Sequence, residues 1–324
     1  MFNTTPICFY HPITIVFLDD SPSFLDSLKM DLFPHGGDRF QFFTNQTAAI
    51  EHIKAHQENL TGSILNIIDK NEVDLSSDHV VGFDISNIYK MARNKARFSV
   101  VGVTVVDYEM PEESGLIVCQ KLNKIAVRKL LLTAIDDQAA VIQAFNDGVV
   151  DKYLRKQSTT LPEQIMHSLE FLKQRYFATL SHTLVECLGE RLVSLWQNLK
   201  YQALFNNIKK QANAIEYYLL DSCGSYLFLD AHAAPYWLVI RSAAELAEQA
   251  QLLNSMDADA SVVQLVSEQK QLLFFLSSEE QRRPIAQWNN FIFDAMPLDG
   301  EYFYALIRGK TENIIEWNDI IPYA

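Results

Sequence analysis

Between residues 13 and 156, short unbroken apolar runs alternate with stretches where apolar residues recur three or four positions apart. That alternation predicts strands interleaved with helices, the pattern of a parallel α/β sheet. Ile13 to Leu18 is continuously apolar, as a strand buried on both faces requires, and it leads straight into Asp19 and Asp20. Ser21 then offers a helix N-cap and Pro22 the favoured first helical position; Phe24, Leu25, Leu28 and Leu32 form the apolar stripe. Phe40 to Thr44 reads as a second strand and Thr47 to Ala55 as a second helix. Val100 to Val106 is the most β-branched run of the chain and ends at Asp107. Leu130 to Leu132 ends at Thr133 and Ala134, and a last short strand at Tyr153 and Leu154 ends at Lys156. The expected fold is a doubly wound, five-stranded parallel sheet.

Beyond Lys156 the spacing changes. Apolar residues at 161, 165, 169, 172, 176, 180, 184 and 188 predict one long helix opening near Pro162. Tyr201 to Ile215 is again helical in pattern. Tyr217 to Leu220, Tyr226 to Leu229 and Tyr236 to Ile240 are aromatic-rich and joined by short connections, so they predict antiparallel hairpins. Ala243 to Leu253 and Val262 to Val266 read as helices; Leu272 to Leu276, Phe291 to Phe293 and Tyr302 to Ile307 read as strands. The expectation is an α+β domain with an antiparallel sheet over 190–324, joined through a linking helix at 161–189 to an α/β domain over 1–160.

Composition changes this picture in two ways. Of 324 residues, 48% are hydrophobic and 21% charged, so the chain can bury a real core. No apolar run approaches the ~20 residues that span a bilayer, and residues 1 to 10 lack the basic-then-apolar order of a secretory leader; the expected location is the cytoplasm. The four cysteines, at 8, 119, 187 and 223, form no CxxC pair, which argues against a zinc ribbon and a disulfide framework. The net charge is −13, with 15 basic and 20 acidic residues through Thr160 and 12 and 20 after it. Two acidic halves argue against nucleic acid as the partner.

The informative feature is where the strands end. In an open parallel sheet, sites form at the carboxyl ends of strands, which would bring Asp19, Asp20, Asp107, Thr133 and Lys156 to one edge. Crowded carboxylates repel unless a cation compensates, and an all-oxygen cluster suits Mg²⁺ or Mn²⁺ better than zinc. A lysine opposite the metal suits an anionic ligand such as a phosphoryl group, with Thr133 hydrogen-bonding one of its oxygens.

In these residues the segment 13–156 resembles the receiver domain of two-component response regulators. Asp19-Asp20 match the family's acidic pair, and Asp107 to Pro111 with Gly115 its phosphoacceptor motif. Thr133-Ala134 match the switch threonine and its small neighbour, Tyr153 the switch aromatic, and Lys156 the family lysine. The resemblance implies that Asp107 accepts phosphate from a sensor histidine kinase or a phosphotransfer protein. It further implies that Asp19, Asp20, Asp107 and the Glu109 main-chain carbonyl hold Mg²⁺, that Thr133 and Lys156 read the phosphoryl group, and that Tyr153 reports it. Three departures stand out. Gln157 follows the lysine where the family has proline in a cis bond, so a trans bond is expected. Glu109 places a carboxylate two residues after the phosphoacceptor. Asp20 and Asp107 lie 87 positions apart, which predicts an insertion at about 58–96. Within it Phe83 to Met91 looks helical, and Arg93, Lys95 and Arg97 read as a solvated helix end.

The second half offers no helix-turn-helix with a basic recognition helix and no GxxxxGK run. Asp230-Ala-His232 reads as a turn, Arg282-Arg283-Pro284 as a surface turn, and Tyr217, Tyr218, Tyr226, Phe228, Tyr236 and Trp237 as hairpin core. His182 and Cys187 read as packing residues. The combination of receiver, insertion and atypical output resembles quorum-sensing response regulators, which implies signalling from autoinducer-sensing kinases. The expected protein is a non-enzymatic response regulator that dimerises on phosphorylation and has a non-DNA-binding output domain. The alternatives are a nucleotide- or ligand-binding, enzymatic output with Arg282, Arg283 and the aromatics as pocket, and a transcription factor.

Overall fold

The computed structural model describes residues 6–32, 38–57, 85–134, 138–187, 189–275 and 278–309. The chain divides into two compact units, one drawn from 11–78 and 94–183, the other from 1–10, 79–93 and 184–324. The first strand, β1 (Phe9–Tyr10), therefore belongs with the C-terminal half.

The α/β unit follows the sequence pattern closely. Its elements in order are β2 (Thr14–Leu18), α1 (Pro22–Asp31), β3 (Arg39–Phe43), α2 (Gln46–Ala55), β4 (Val101–Asp107), α3 (Gly115–Lys121), β5 (Arg128–Thr133), α4 (Gln138–Asn146), β6 (Lys152–Arg155) and α5 (Leu161–Cys187). The five strands pair in parallel in the order β3-β2-β4-β5-β6. All of β2 and β4 is buried, as their unbroken apolar runs require of a sheet covered on both faces. Val16, Leu18, Val106 and Leu131 on one face meet Ile53, Val118, Cys119 and Val141 from the helices. Each such side chain contributes roughly 1.5–3 kcal/mol on burial. At the other end of the sheet, the buried pair Lys173 Nζ–Asp38 Oδ2, 2.5 Å apart, ties α5 to the segment before β3, and Asp38 Oδ1 accepts from the Ile13 amide at 3.0 Å.

The expected insertion is described only in part, since 58–84 lie outside the described residues. Ile85–Arg93 forms a 3₁₀ segment that belongs to the other unit, packing against its strand Glu216–Leu219. Buried Ile88, Met91 and Ala92 account for that placement. The basic trio that follows departs from the solvated helix end expected of it. Arg93 and Lys95 are exposed, but Arg97 is 1% exposed, its guanidinium 3.9 Å from the Phe98 ring centroid and Nη1 donating to the Asn94 carbonyl at 3.2 Å. A planar guanidinium that stacks on an aromatic face tolerates a burial that an ammonium resists.

The second unit continues with α6 (Glu190–Gln197), α7 (Leu199–Gln211), β7 (Glu216–Leu219), β8 (Tyr226–Leu229), β9 (Pro235–Ser242), α8 (Ala243–Ser255), α9 (Ala260–Ser267), β10 (Gln271–Leu273), β11 (Ile292–Asp294), β12 (Met296–Pro297) and β13 (Tyr302–Arg308). Six strands pair antiparallel in the order β1-β7-β8-β9-β13-β12, and β10 and β11 form a separate pair. Phe205 of α7 lies 4.9–5.1 Å from the rings of Tyr217, Tyr226 and Phe228. Those hairpin aromatics are fully buried core. Asp230 Oδ1 accepts from the amides of His232 and Ala234, both at 2.8 Å, which makes this motif a turn. The Arg283 carbonyl accepts from Trp288 Nε1 at 3.0 Å. Among the described residues no helix is long and apolar enough to cross a membrane.

Candidate functional site

The register of the parallel sheet decides what meets at its carboxyl edge. Leu18 lies opposite Val106, so Asp19 follows one strand as Asp107 closes the next, and Asp107 in turn lies opposite Leu132. Thr133 lies opposite Arg155 on β6, one residue before Lys156. Asp19, Asp20 and Asp107 each offer a carboxylate oxygen within 4.8 Å of the others. Asp19 and Asp107 are buried and Asp20 is exposed, so the cluster opens to solvent on one side.

Local structure fixes each group. The Asp19 amide donates to the Phe43 carbonyl at 3.1 Å, and Asp19 Oδ1 accepts from the Ser21 amide at 2.9 Å. Ser21 then caps α1, its hydroxyl accepting from the Phe24 amide at 3.3 Å with Pro22 in the first turn. After β4 the chain turns hard back into α3, the Gly115 amide donating to the Tyr108 carbonyl at 2.9 Å. A Cβ on Gly115 would lie 1.9 Å from the Asp107 carbonyl oxygen, so only glycine admits this close return. The Lys156 amide donates to the Thr133 carbonyl at 2.9 Å, which sets the lysine at the edge of the cluster.

Lys156 is the cation of the site. Its ammonium sits 2.6 Å from Asp19 Oδ2 and 2.8 Å from Asp107 Oδ1, and 4.5 Å from the Phe24 ring centroid. Burial alone would lower its pKa; the hydrogen bonds to Asp107 and Asp19 more than reverse this and hold it above the ordinary value. Burial pushes the Asp107 carboxyl up, the Lys156 hydrogen bond opposes it, and the Asp19 charge adds to it. The Glu109 amide also hydrogen-bonds the Asp107 carboxyl. Two buried acids sharing one lysine, with a third acid at the rim, leave negative charge that a hard divalent cation on oxygen ligands would compensate. The donor set fits Mg²⁺.

Of the residues singled out in the sequence, Asp19, Asp20, Asp107, Glu109 and Lys156 line one open cleft. Thr133 is buried at the end of β5, and Tyr153 is 38% exposed on β6 opposite Leu131. The peptide bond after Lys156 is trans, as are all others among the described residues. Gln157 donates to the Ala134 carbonyl at 3.4 Å, a link between the two loops. Met110 and Pro111 of the phosphoacceptor motif also line the cleft, whereas Ser114, which lines it too, and the Phe24 ring beside Lys156 carry no signal of their own in the sequence. Phe24 reads there only as one member of an apolar helix stripe.

No family model matches the chain, and no curated protein does. Solved structures do. The chain is similar to the Legionella pneumophila response regulator LqsR at 25% identity and a TM-score of 0.78, covering 99% of this chain and 94% of that one. Partial likenesses include the response regulator TrrA of Thermotoga maritima in its Mg²⁺-BeF complex, at 17% identity and a TM-score of 0.29, covering 49% of this chain and 97% of that one. Another is a CheY-like receiver domain protein of Methanospirillum hungatei, at 14% and 0.31, covering 51% and 96%. The chain thus carries a receiver domain of the two-component response-regulator type, joined to an α+β domain, and over nearly its whole length it is similar to the response regulator LqsR.

Proposed function

We propose that this chain is a phosphorylation-controlled response regulator whose phosphoacceptor is Asp107. The observation that carries the reading is the Lys156 ammonium shared between buried Asp19 and Asp107 in a cleft whose rim holds Asp20. A carboxylate oxygen of Asp107 attacks phosphorus in a phosphohistidine donor. The P–N bond breaks, its electron pair leaves with the imidazole, and an acyl phosphate forms. Lys156 moves from neutralising Asp107 to contacting the new phosphoryl oxygens, and the Thr133 hydroxyl donates to another. A divalent cation held by Asp19, Asp20 and Asp107, with the Glu109 main-chain carbonyl, would supply the remaining charge compensation.

The output is read as an interaction module that does not bind DNA, supported by the −8 balance after Thr160 and by the burial of its hairpin aromatics. Exposed apolar side chains on α4, β6 and α5 (Ile142, Phe145, Tyr153 and Phe171) supply a face for a second copy of the chain. The domains are taken as a receiver to about 160, less the segments 1–10 and 79–93 that belong with the second unit, a linking helix to 189, and an output domain from there on. The reading is tested with acetyl phosphate. Wild type should become a phosphoprotein labile to hydroxylamine, as an acyl phosphate is, only with Mg²⁺ or Mn²⁺ present, and Asp107→Asn should not. Persistent labelling of that variant would place the acceptor elsewhere.

A further inference from the structure

The Lys156 backbone is held by its amide on the Thr133 carbonyl, but its charge sits at the end of a flexible four-carbon stem. Such a point charge keeps one position only if groups close around it. Two carboxylates do so, Asp19 Oδ2 at 2.6 Å and Asp107 Oδ1 at 2.8 Å, and the Phe24 ring, its centroid 4.5 Å away, closes a third side. The lysine side chain is consequently only 17% exposed although it lines an open cleft.

The three contacts differ in what phosphoryl transfer does to them. The Asp107 oxygen that attacks phosphorus becomes part of an acyl phosphate, and Asp19 is one of the carboxylates toward which a divalent cation is drawn. Each changes its charge or its partner. The ring does neither. An aromatic face attracts an ammonium through its quadrupole, and the attraction is strongest where water is excluded.

Local structure places the ring to serve this end. Phe24 lies in the first turn of α1, its amide donating to Ser21 Oγ at 3.3 Å, and the Ser21 amide in turn donates to Asp19 Oδ1 at 2.9 Å. The ring is therefore carried by the same short segment that carries Asp19. The deeply buried residues of α1 are Leu25 and Leu28, each 3% exposed, whereas Phe24 is only half-buried. Helix packing asks for no more than an apolar side chain at position 24; the surface turned to Lys156 asks for an aromatic one.

We propose that Phe24 is a positioning residue for phosphoryl transfer, its ring holding the Lys156 ammonium beside Asp107 while the carboxylates change state. The proposal rests on Asp107 as the phosphoacceptor. With acetyl phosphate as donor, an Asp107 oxygen attacks phosphorus, the P–O bond to the acetyl group breaks, and acetate leaves with the electron pair. Lys156 has to meet the charge on the phosphoryl oxygens during that step, and an ammonium free to swing into water meets it less closely.

The test measures phosphorylation of the full chain by acetyl phosphate with saturating Mg²⁺ across a pH series. Phe24→Leu keeps an apolar side chain and removes the ring face; Phe24→Tyr restores the face. Phe24→Leu should react about tenfold more slowly at neutral pH, and Phe24→Tyr within about twofold of wild type. The Lys156 hydrogen bond lowers the Asp107 pKa, so the acid limb of the profile should move to higher pH in Phe24→Leu and stay in place in Phe24→Tyr. Mg²⁺ affinity, from calorimetry without donor, should not weaken in either variant, and melting temperatures show that both are folded. Should Phe24→Leu fail to fold, Phe24→Met, equally without a ring, replaces it. Labelling of Phe24→Leu as fast as wild type, Phe24→Tyr as slow as Phe24→Leu, an acid limb that does not move, or Mg²⁺ affinity falling by the same factor as the rate would each overturn this proposal alone. Wild type that takes no phosphate would overturn the reading of Asp107 and this proposal with it.

Discussion

At the scale of single residues, Lys156 and His11 show what burial does to a charge. Lys156 keeps its proton because two carboxylates face it. In Lys156→Met the divalent-cation ligands remain, so cation binding should persist, whereas the group that meets the transferring phosphoryl oxygens is gone. Phosphoryl acceptance from acetyl phosphate should then slow by about a hundredfold. A rate matching wild type would mean that the wrong lysine has been identified, and Lys152 would be the next to change. His11 is the opposite case, fully buried with its Nδ1 2.8 Å from the Pro12 carbonyl. Burial first, and then the nearby Arg97 and Lys173 charges, lower its pKa from 6.5 to about 3. Its folded value lies below its unfolded one, so as pH falls beneath 6.5 only the unfolded chain takes up the proton and stability is lost. Between pH 7 and pH 5 this residue alone should cost wild type ~2 kcal/mol of unfolding free energy. His11→Asn, compared by urea denaturation at both pH values, should lose about that much less; an equal loss in the two proteins would refute the assignment.

At the scale of elements, the helix that begins beside the site can be separated from the site itself. Ser21 contributes its amide to Asp19 Oδ1 and its hydroxyl to the first turn of α1. Ser21→Ala keeps the first and removes the second, so it should lower unfolding free energy by ~1 kcal/mol, and Ser21→Asp should lose much less. Urea melts of the three proteins check this, and equal stability for the alanine variant would mean that the cap contributes nothing. This end of the molecule was legible in the sequence because its signals are local. A β-branched run, a following acid, a cap and a proline lie side by side, and a parallel sheet places every strand end at one edge. The other unit was legible only in its pieces. The hairpins from Tyr217 onward, α8 and β13 carry their own periodicity, whereas β1 is two residues long and is defined by a partner more than two hundred positions away, Phe9 opposite Tyr218. The same holds for Ile85–Arg93, whose helical character is visible but whose partner β7 is not. Arg97 misled for a related reason. Beside Arg93 and Lys95 it looks like a third solvated charge, and its burial becomes intelligible once the Phe98 ring and the Asn94 carbonyl are seen among its neighbours.

At the scale of the whole molecule, the question is how an event at Asp107 becomes a change in association. Thr133 and Tyr153 lie on neighbouring strands, with Leu131, two residues before Thr133, directly opposite Tyr153. Tyr153 is exposed on β6, the edge strand of the sheet, and Phe171 is exposed on α5, which follows it in the chain. Ile142 and Phe145 are exposed on α4, the helix between β5 and β6. Covering these side chains with a second copy would remove apolar area from water in both chains, which favours a homodimer once the tyrosine settles into one position. Phosphorylation can shift that equilibrium only by the difference in how well it is accommodated in the two states. One new charge-assisted hydrogen bond is worth about 1.5–3 kcal/mol, which amounts to roughly a tenfold to a hundredfold tightening per protomer. A concentration-dependent shift is therefore expected in place of an all-or-none conversion. Sedimentation velocity across a dilution series, with and without Mg²⁺ and beryllofluoride, measures it directly. The dimer should persist to concentrations at least about tenfold lower with the phosphoryl mimic, and Phe145→Glu, which sets a charge among the exposed apolar side chains of α4, should abolish the difference. The same monomer fraction with and without beryllofluoride would dismiss phosphorylation-driven dimerisation. A mimic effect that survives Phe145→Glu would move the interface to another face.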